Sequence, residues 1–417
     1  MRSFVIHNVL TQHAEEAPFL WLLRSKAIRA PHYALKDLAK LDDRIEAHLD
    51  GLRIAGENGW ELCKGALEEP GEIFAASVMA FESGIESRIQ AVLDAVTAKP
   101  DLLPGIVSAL GWLPFDQASS HIQRLHISEV HLHRQVGLAA CAAHRADPGQ
   151  ILTIAVGSRN LSLRARALKV VGELGRKDLV GTVRENLHVE DDTVRYWTAW
   201  TGALLGEPTA IPVLQHLVET KHHRRESACA MALRRMPVSD GHAWLKTLAS
   251  NPATLRLAVQ AAGTIGDPAI IPWLIQQMGN PIDARVAGES FTYITGIDLA
   301  YDDLDTDKPE GFESGPTENP EDENVEMDQD EDLPWPNSKL IEKCWFTHRL
   351  EFTNGARYLL GKPMAIDSLK EVLRIGKQRQ RTVAAIELAM RQPGTPLFNT
   401  SAPGFRQQQM LGLKVTR

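Results

Sequence analysis

Small and apolar residues recur through the middle of this chain on a beat of thirty. Gly175, Gly206, Met236, Gly266 and Gly296 lie 31, 30, 30 and 30 residues apart. Eight positions before the first four stand Ala167, Thr198, Ala228 and Ala258; eight positions after them stand Val183, Leu214, Trp244 and Leu274. A fixed period of this length marks a solenoid, in which each unit buries its apolar face only against its neighbours. The expected fold is all-α, an α-solenoid of helical hairpins. The Ala-rich first helices are predicted over Arg164–Leu174, Arg195–Leu205, Glu226–Arg235 and Leu255–Ile265.

Two turns are written almost alike, Gly206-Glu207-Pro208 and Gly266-Asp267-Pro268. Glycine reaches left-handed angles cheaply and ends one helix. The acidic residue is then expected near the positive end of the next helix, and proline at its first position. Pro212 and Pro272 follow four residues later, near the end of the first turn. Gly84 and Gly111 read as degenerate markers ahead of the regular array.

Outside the beat, residues 1–70 read as a helical N-terminal cap, with helices over Val9–Arg24 and Leu38–Leu52 separated at Ala30-Pro31. The solenoid is assigned to 71–300, its regular part beginning near 127. Residues 301–335 read as an acidic disordered loop or linker, because they hold too few large apolar residues to order themselves. Residues 336–417 read as a helical C-terminal region, helical over Leu340–Leu350 and Ile366–Arg391 and irregular after Gly394. Arg381–Pro393 echoes Arg256–Pro268, so one more repeat-like hairpin is expected there.

The net charge of −8 hides a division. Between Tyr301 and Pro334 stand fifteen acidic residues and one basic, which leaves the rest of the chain at +6. The four cysteines are far apart with no CxxC pair, which fits a reducing compartment. The N-terminus lacks the apolar core and cleavage site of a secretory signal, and no stretch is long enough to span a bilayer. The expected location is the cytoplasm, without membrane association.

Candidate chemistry is thin. Gly355–Lys362 has five residues between its glycines where a phosphate loop needs four, and proline follows; a turn or helix end is expected. His121, His126, His131, His133 and His144 lack the spacing that puts ligands on one helix face. His13 and Glu16 read as a solvated helix face. Asp191, Asp192 and Trp197 have the residue types with which solenoid glycosylases hold a base, though core packing explains Trp197 and Trp200 more simply. Basic residues recur at repeat starts: Arg164 and Arg166, Arg195, Arg224 and Arg225, Arg256, Arg285. They read chiefly as a solvated face, with a phosphate-tracking stripe as the alternative. No catalytic residue, cofactor or metal set is assigned, and an enzyme is the less favoured reading.

One column follows from the register. Ten residues past the markers come Glu185, His216, Lys246 and Gln276, two positions beyond the apolar column and so on another helix face. These four are the candidate protein-binding surface.

The Ala-rich helix, Gly-Asp/Glu-Pro turn and Ile-Pro-x-Leu second helix resemble HEAT repeats of the short class found in phycobilisome-lyase-like proteins. The chain contains no His-Glu dipeptide, which argues against the activity of metal-dependent HEAT hydroxylases. Over residues 13–24, 40–62, 291–299 and within 355–390 the chain also resembles a proteobacterial HEAT-repeat family of uncharacterised function. Its members tend to be encoded near type VI secretion effector modules. The resemblance implies a non-catalytic scaffold or adaptor whose partner is a secretion effector or its delivery proteins. A nucleic-acid-binding or base-repair solenoid is the alternative.

Overall fold

In the computed structural model, which describes residues 6–315 and 327–415, the period resolves into helical hairpins. Ala167, Thr198, Ala228 and Ala258 are fully buried. Small side chains there let neighbouring helices approach at the short end of the usual interaxial range, about 8 Å. Val183, Leu214 and Leu274 fill the core eight places after the markers, whereas Trp244 is only half-buried. The class is all-α, an α-solenoid, with strand confined to two short hairpins among the described residues.

The chain folds as two compact units, Met1–Ala210 with Arg374–Arg417, and Ile211–Leu373. Unit 1 begins with α1 (His7–Ala27), α2 (Leu35–Ala55) and α3 (Glu57–Lys64). It continues with α4 (Pro70–Ser83), α5 (Glu86–Ala98), α6 (Leu103–Trp112), α7 (Phe115–His126) and α8 (His131–His144). Then come α9 (Gln150–Ala155), α10 (Leu161–Leu174), α11 (Val180–Asn186) and α12 (Asp192–Leu205). The first helices α4, α6, α8, α10 and α12 pack in succession, and α1 packs on α2 and α4. One apolar core runs from Leu10 on α1 to Cys141 on α8, so the border drawn at residue 70 falls within a continuous core.

The unit border falls within α13 (Ala210–Glu219). Unit 2 holds α14 (Arg225–Arg235), α15 (Val238–Ala249), α16 (Leu255–Ile265), α17 (Ile271–Gln277) and α18 (Ala284–Thr295). Strands β1 (Asp305–Thr306) and β2 (Trp335–Pro336) pair, α19 (Ser338–His348) follows, and β3 (Tyr358–Leu359) pairs with β4 (Lys362–Pro363). α20 (Ile366–Ile375) carries the chain to the second border. α21 (Gln378–Arg391) and α22 (Gly404–Met410) belong to unit 1.

Several expectations need correction. The helix drawn over Ile366–Arg391 is two helices, and α21 packs on α12 in unit 1 rather than extending the array in order. Arg381 on α21 is fully buried and donates to Gln378 Oε1 and to Gln407 Oε1 on α22, both at 2.6 Å. Pro268 opens a separate 3₁₀ turn, so α17 starts only at Ile271 and Pro272 occupies its beginning. Gly84 does end α4 in the left-handed region. Gly111 lies inside α6, where a Cβ would sit 3.0 Å from that of Ala143.

The acidic insert is not free along its described flanks. β1 and β2 close its base, Leu304, Asp330 and Leu333 are buried, and Asn337 N–H donates to Leu304 O. Residues 316–326 of the expected disordered loop lie outside the described residues.

The markers have a second use that periodicity does not show. Gly175, Gly206, Gly266 and Gly296 all end helices with φ between 68° and 88°. In unit 2 the β3–β4 hairpin lies across two of these ends. Tyr358 N–H donates to Gly266 O at 2.8 Å, Leu360 N–H to Tyr293 O at 2.7 Å and Gly361 N–H to Ile294 O at 3.0 Å. At Met236, where the beat lacks its glycine, Arg357 Nη2 donates to both Leu233 O and Met236 O at 2.7 Å. In unit 1 the segment after Gly394 does the same work in reverse order. Leu397 N–H donates to Glu173 O, Asn399 Nδ2 to Ala143 O, and Arg406 to the carbonyls of Gly111, Trp112 and Leu113. Helix ends leave carbonyls unsatisfied, and these two straps satisfy them.

Candidate protein-binding surface

The second helices put the four column residues on the outside. Glu185 on α11, His216 on α13, Lys246 on α15 and Gln276 on α17 are all exposed. Glu185, His216 and Gln276 each stand two places past a buried apolar position, and Lys246 two past the half-buried Trp244, so the helical period alone accounts for the arrangement. The last three share unit 2; Glu185 belongs to unit 1. His216 also lies 3.9 Å from Glu219 Oε2.

The same helices are clamped from behind by the acidic turn residues. Glu207 is buried and accepts from Arg184 Nε (2.9 Å) and Nη2 (2.7 Å) on α11, and from Thr209 Oγ1 at 2.7 Å. The hydrogen bond from Arg184, outweighing desolvation, holds its carboxyl below the ordinary value. Asp267 in the matching turn accepts from Ala269 N–H and Gly355 N–H at 3.0 Å, and its Oδ2 is 2.8 Å from His242 Nε2 on α15. The residue expected to complement a helix dipole therefore also fixes the preceding second helix.

Exposed apolar side chains also occur in unit 2, on the helix that packs on α17. α19 packs beside α17 and exposes Leu340 and Phe346, and Leu350, in the 3₁₀ turn after it, is 90% exposed. The i,i+4 spacing of Phe346 and Leu350 was the available signal. Arg349 lies over the Phe346 ring at 4.2 Å.

Unit 1 contains a cavity of about 370 Å³ lined by Arg24, Arg29, Arg145, Arg166 and Lys169, with Glu173 the acidic member and Trp21 and Trp112 in its wall. The indoles are already engaged. Trp21 stacks on Phe74 and donates to Ser108 Oγ, while Arg24 covers Trp112 at 5.4 Å. Arg24 donates to Asp42 and to the Ser401 and Ala402 carbonyls, so this wall is part of the C-terminal strap's seat.

The other candidates disperse. His121 reaches Phe81 O, His126 reaches Cys141 Sγ, His133 reaches Thr97 and Ser128, and His144 reaches Leu110 O. Burial lowers the basicity of all four. No group of three metal-binding side chains occurs among the described residues. His13 packs against His48 with their Nδ1 atoms 3.1 Å apart, rather than facing solvent with Glu16. Asp191 caps α12 by accepting from Val194 N–H, and Asp192 pairs with Arg195; neither is arranged with Trp197 to hold a base. The Gly355–Lys362 segment is the β3–β4 hairpin, turning at Leu360 and Gly361 with φ of 50° and 75°.

Residues 150–234, from α9 through most of α14, match the family model for HEAT repeats. The chain carries HEAT repeats over that stretch. No curated protein matches the chain. HEAT repeats commonly mediate contacts between proteins, and no helix among the described residues is long and apolar enough to cross a membrane.

Proposed function

We propose that this chain is a non-catalytic scaffold or adaptor that binds another protein through its second helices. The observation that carries this reading is the exposure, on helices of unit 2 that pack together, of apolar residues on α19 and the turn after it and of the polar position on α17. Exposed apolar groups rimmed by polar residues are typical of protein interfaces. The family resemblance in the sequence supports a type VI secretion effector or its delivery proteins as the partner, and a cytoplasmic location.

Co-purification from native cells tests the proposal. A stoichiometric protein partner is expected, and it should be lost when Phe346→Ala and Leu350→Ala are combined with Lys246→Glu, the helical melt being retained. Repeated purification without a partner would sink the reading. A partner unaffected by these changes would remove the surface but leave the scaffold role.

Nucleic-acid binding keeps one observation in its favour, the five cations around the unit 1 cavity. Against it, both tryptophans there are packed and unavailable for base stacking. Salt-sensitive retention of DNA or RNA would reverse this preference.

A further inference from the structure

Arg256 and Arg285 sit at the starts of α16 and α18, 29 residues apart. A cation in the first turn of a helix faces the positive end of its dipole and is disfavoured unless an anion lies beside it. Here the anion comes from the acidic insert. Asp330 Oδ1 lies 2.7 Å from Arg256 Nη2, and Asp328 Oδ2 lies 2.7 Å from Arg285 Nη2. Arg285 is further enclosed by aromatic rings, with its guanidinium 4.5 Å from the Trp335 centroid and 5.9 Å from that of Phe312.

The segment that reaches them is a turn, not a strand. Asp330 N–H donates to Asp328 Oδ1 at 3.0 Å, and Glu331 N–H and Leu333 N–H donate to the carbonyls of Asp328 and Asp330. This turn presents the two aspartates to arginines one repeat apart. Arg225 opens α14, 31 residues before Arg256, and gives the same unit a third position of this kind. The surroundings are not uniformly basic. Asp283 is buried near Arg256 and Asp330, and burial followed by Asp330's charge raises its carboxyl above the ordinary value. An acidic occupant is thus held by the paired arginines and rings, not by a general positive field.

We propose that the first-helix starts of unit 2 form an arginine ladder that binds an acidic turn of a partner protein, carrying carboxylates two residues apart and a nearby aromatic residue. Residues 327–335 occupy that ladder in cis and compete with the partner. This rests on the protein-binding reading but concerns a different face and a different chemistry from the second-helix surface.

The probe is a fluorescent peptide of residues 327–337, MDQDEDLPWPN. A tethered segment has an effective concentration on the order of millimolar, so the full-length protein should bind the peptide weakly. The Asp328→Asn/Asp330→Asn protein should bind it at least tenfold more tightly, because its own segment no longer holds the arginines. Adding Arg285→Gln should abolish that gain, and the peptide with Asp328 and Asp330 changed to asparagine should fail to bind. If the double variant loses its helical melt, Asp330→Asn alone replaces it. A folded, released variant that ignores the peptide, or takes the asparagine peptide equally well, overturns the ladder. Equal binding by the unaltered protein and the released variant overturns the competition. Partner loss in the second-helix variants without peptide binding would leave the scaffold reading standing and the ladder refuted.

Discussion

At the scale of single residues, the marker glycines differ in how much each is asked to do. Gly84 ends α4 with φ of 63°, and a Cβ there would meet nothing within 4 Å. Gly266 has φ of 74°, and a Cβ would lie 2.6 Å from Tyr358 O in the hairpin across it. Gly84→Ala should therefore cost only the left-handed strain, about 1–2 kcal/mol. Gly266→Ala should cost clearly more, since the hairpin must also move; urea melts of the two variants check the order. Equal losses would show that the close approach is unimportant. Glu207 supports a pH prediction. Its folded-state value is depressed, so its contribution is present above the ordinary glutamate range and is lost as pH falls through the lower, folded value. Glu207→Gln should melt below the unaltered protein at pH 7, and the gap should close in acid. A gap that persists unchanged at pH 3 would show that the charge on Glu207 is not what clamps α11.

At the scale of elements, the first helices were legible because their signal is local. The helix expected over Leu255–Ile265 has those bounds, and the one expected over Glu226–Arg235 starts a single residue earlier. Repetition of Ala167, Thr198, Ala228 and Ala258 specified which face turns inward. The straps were not legible, because Leu397 meets Glu173 and Tyr358 meets Gly266 across long sequence separations with no period to betray them. The candidate column was legible in its exposure, whereas the apolar α19 face was hidden behind the insert that separates α19 from α18. Met236 shows how the two levels combine: the beat has no glycine there, and Arg357 closes that helix end instead. Arg357→Ala would leave the Leu233 and Met236 carbonyls without this donor and should destabilise the fold by about 1–3 kcal/mol. Arg357→Lys, which keeps the charge but lacks the planar fork, should recover only part of this. Full recovery by lysine would show that charge alone suffices.

At the scale of the whole molecule, the path of the chain matters more than the count of repeats. A linear array from 71 to 300 would be completed by adding hairpins at its end. Instead the chain leaves unit 1 after Ala210, builds unit 2, and returns at Arg374. The returning segment supplies α21 and then the strap whose Leu397, Asn399 and Arg406 meet the ends of α10, α8 and α6. Further on, Gly404 N–H donates to Asp42 Oδ2 at 2.6 Å, and Asp42 is also the buried partner of Arg24. Residues distant in sequence are thus tied into the core of unit 1, and its stability depends on chain synthesised after unit 2. Ending the chain at Gln392 removes the donors to three helix ends and three hydrogen bonds of the Arg24–Asp42 pair, from Gly404 N–H and to the Ser401 and Ala402 carbonyls. Hydrogen exchange should then quicken at the C-terminal turns of α6, α8 and α10, while amides in α16 and α18 keep their protection. A truncated chain whose α6, α8 and α10 ends exchange as slowly as before would mean that the helices close themselves and that the strap adds only cover.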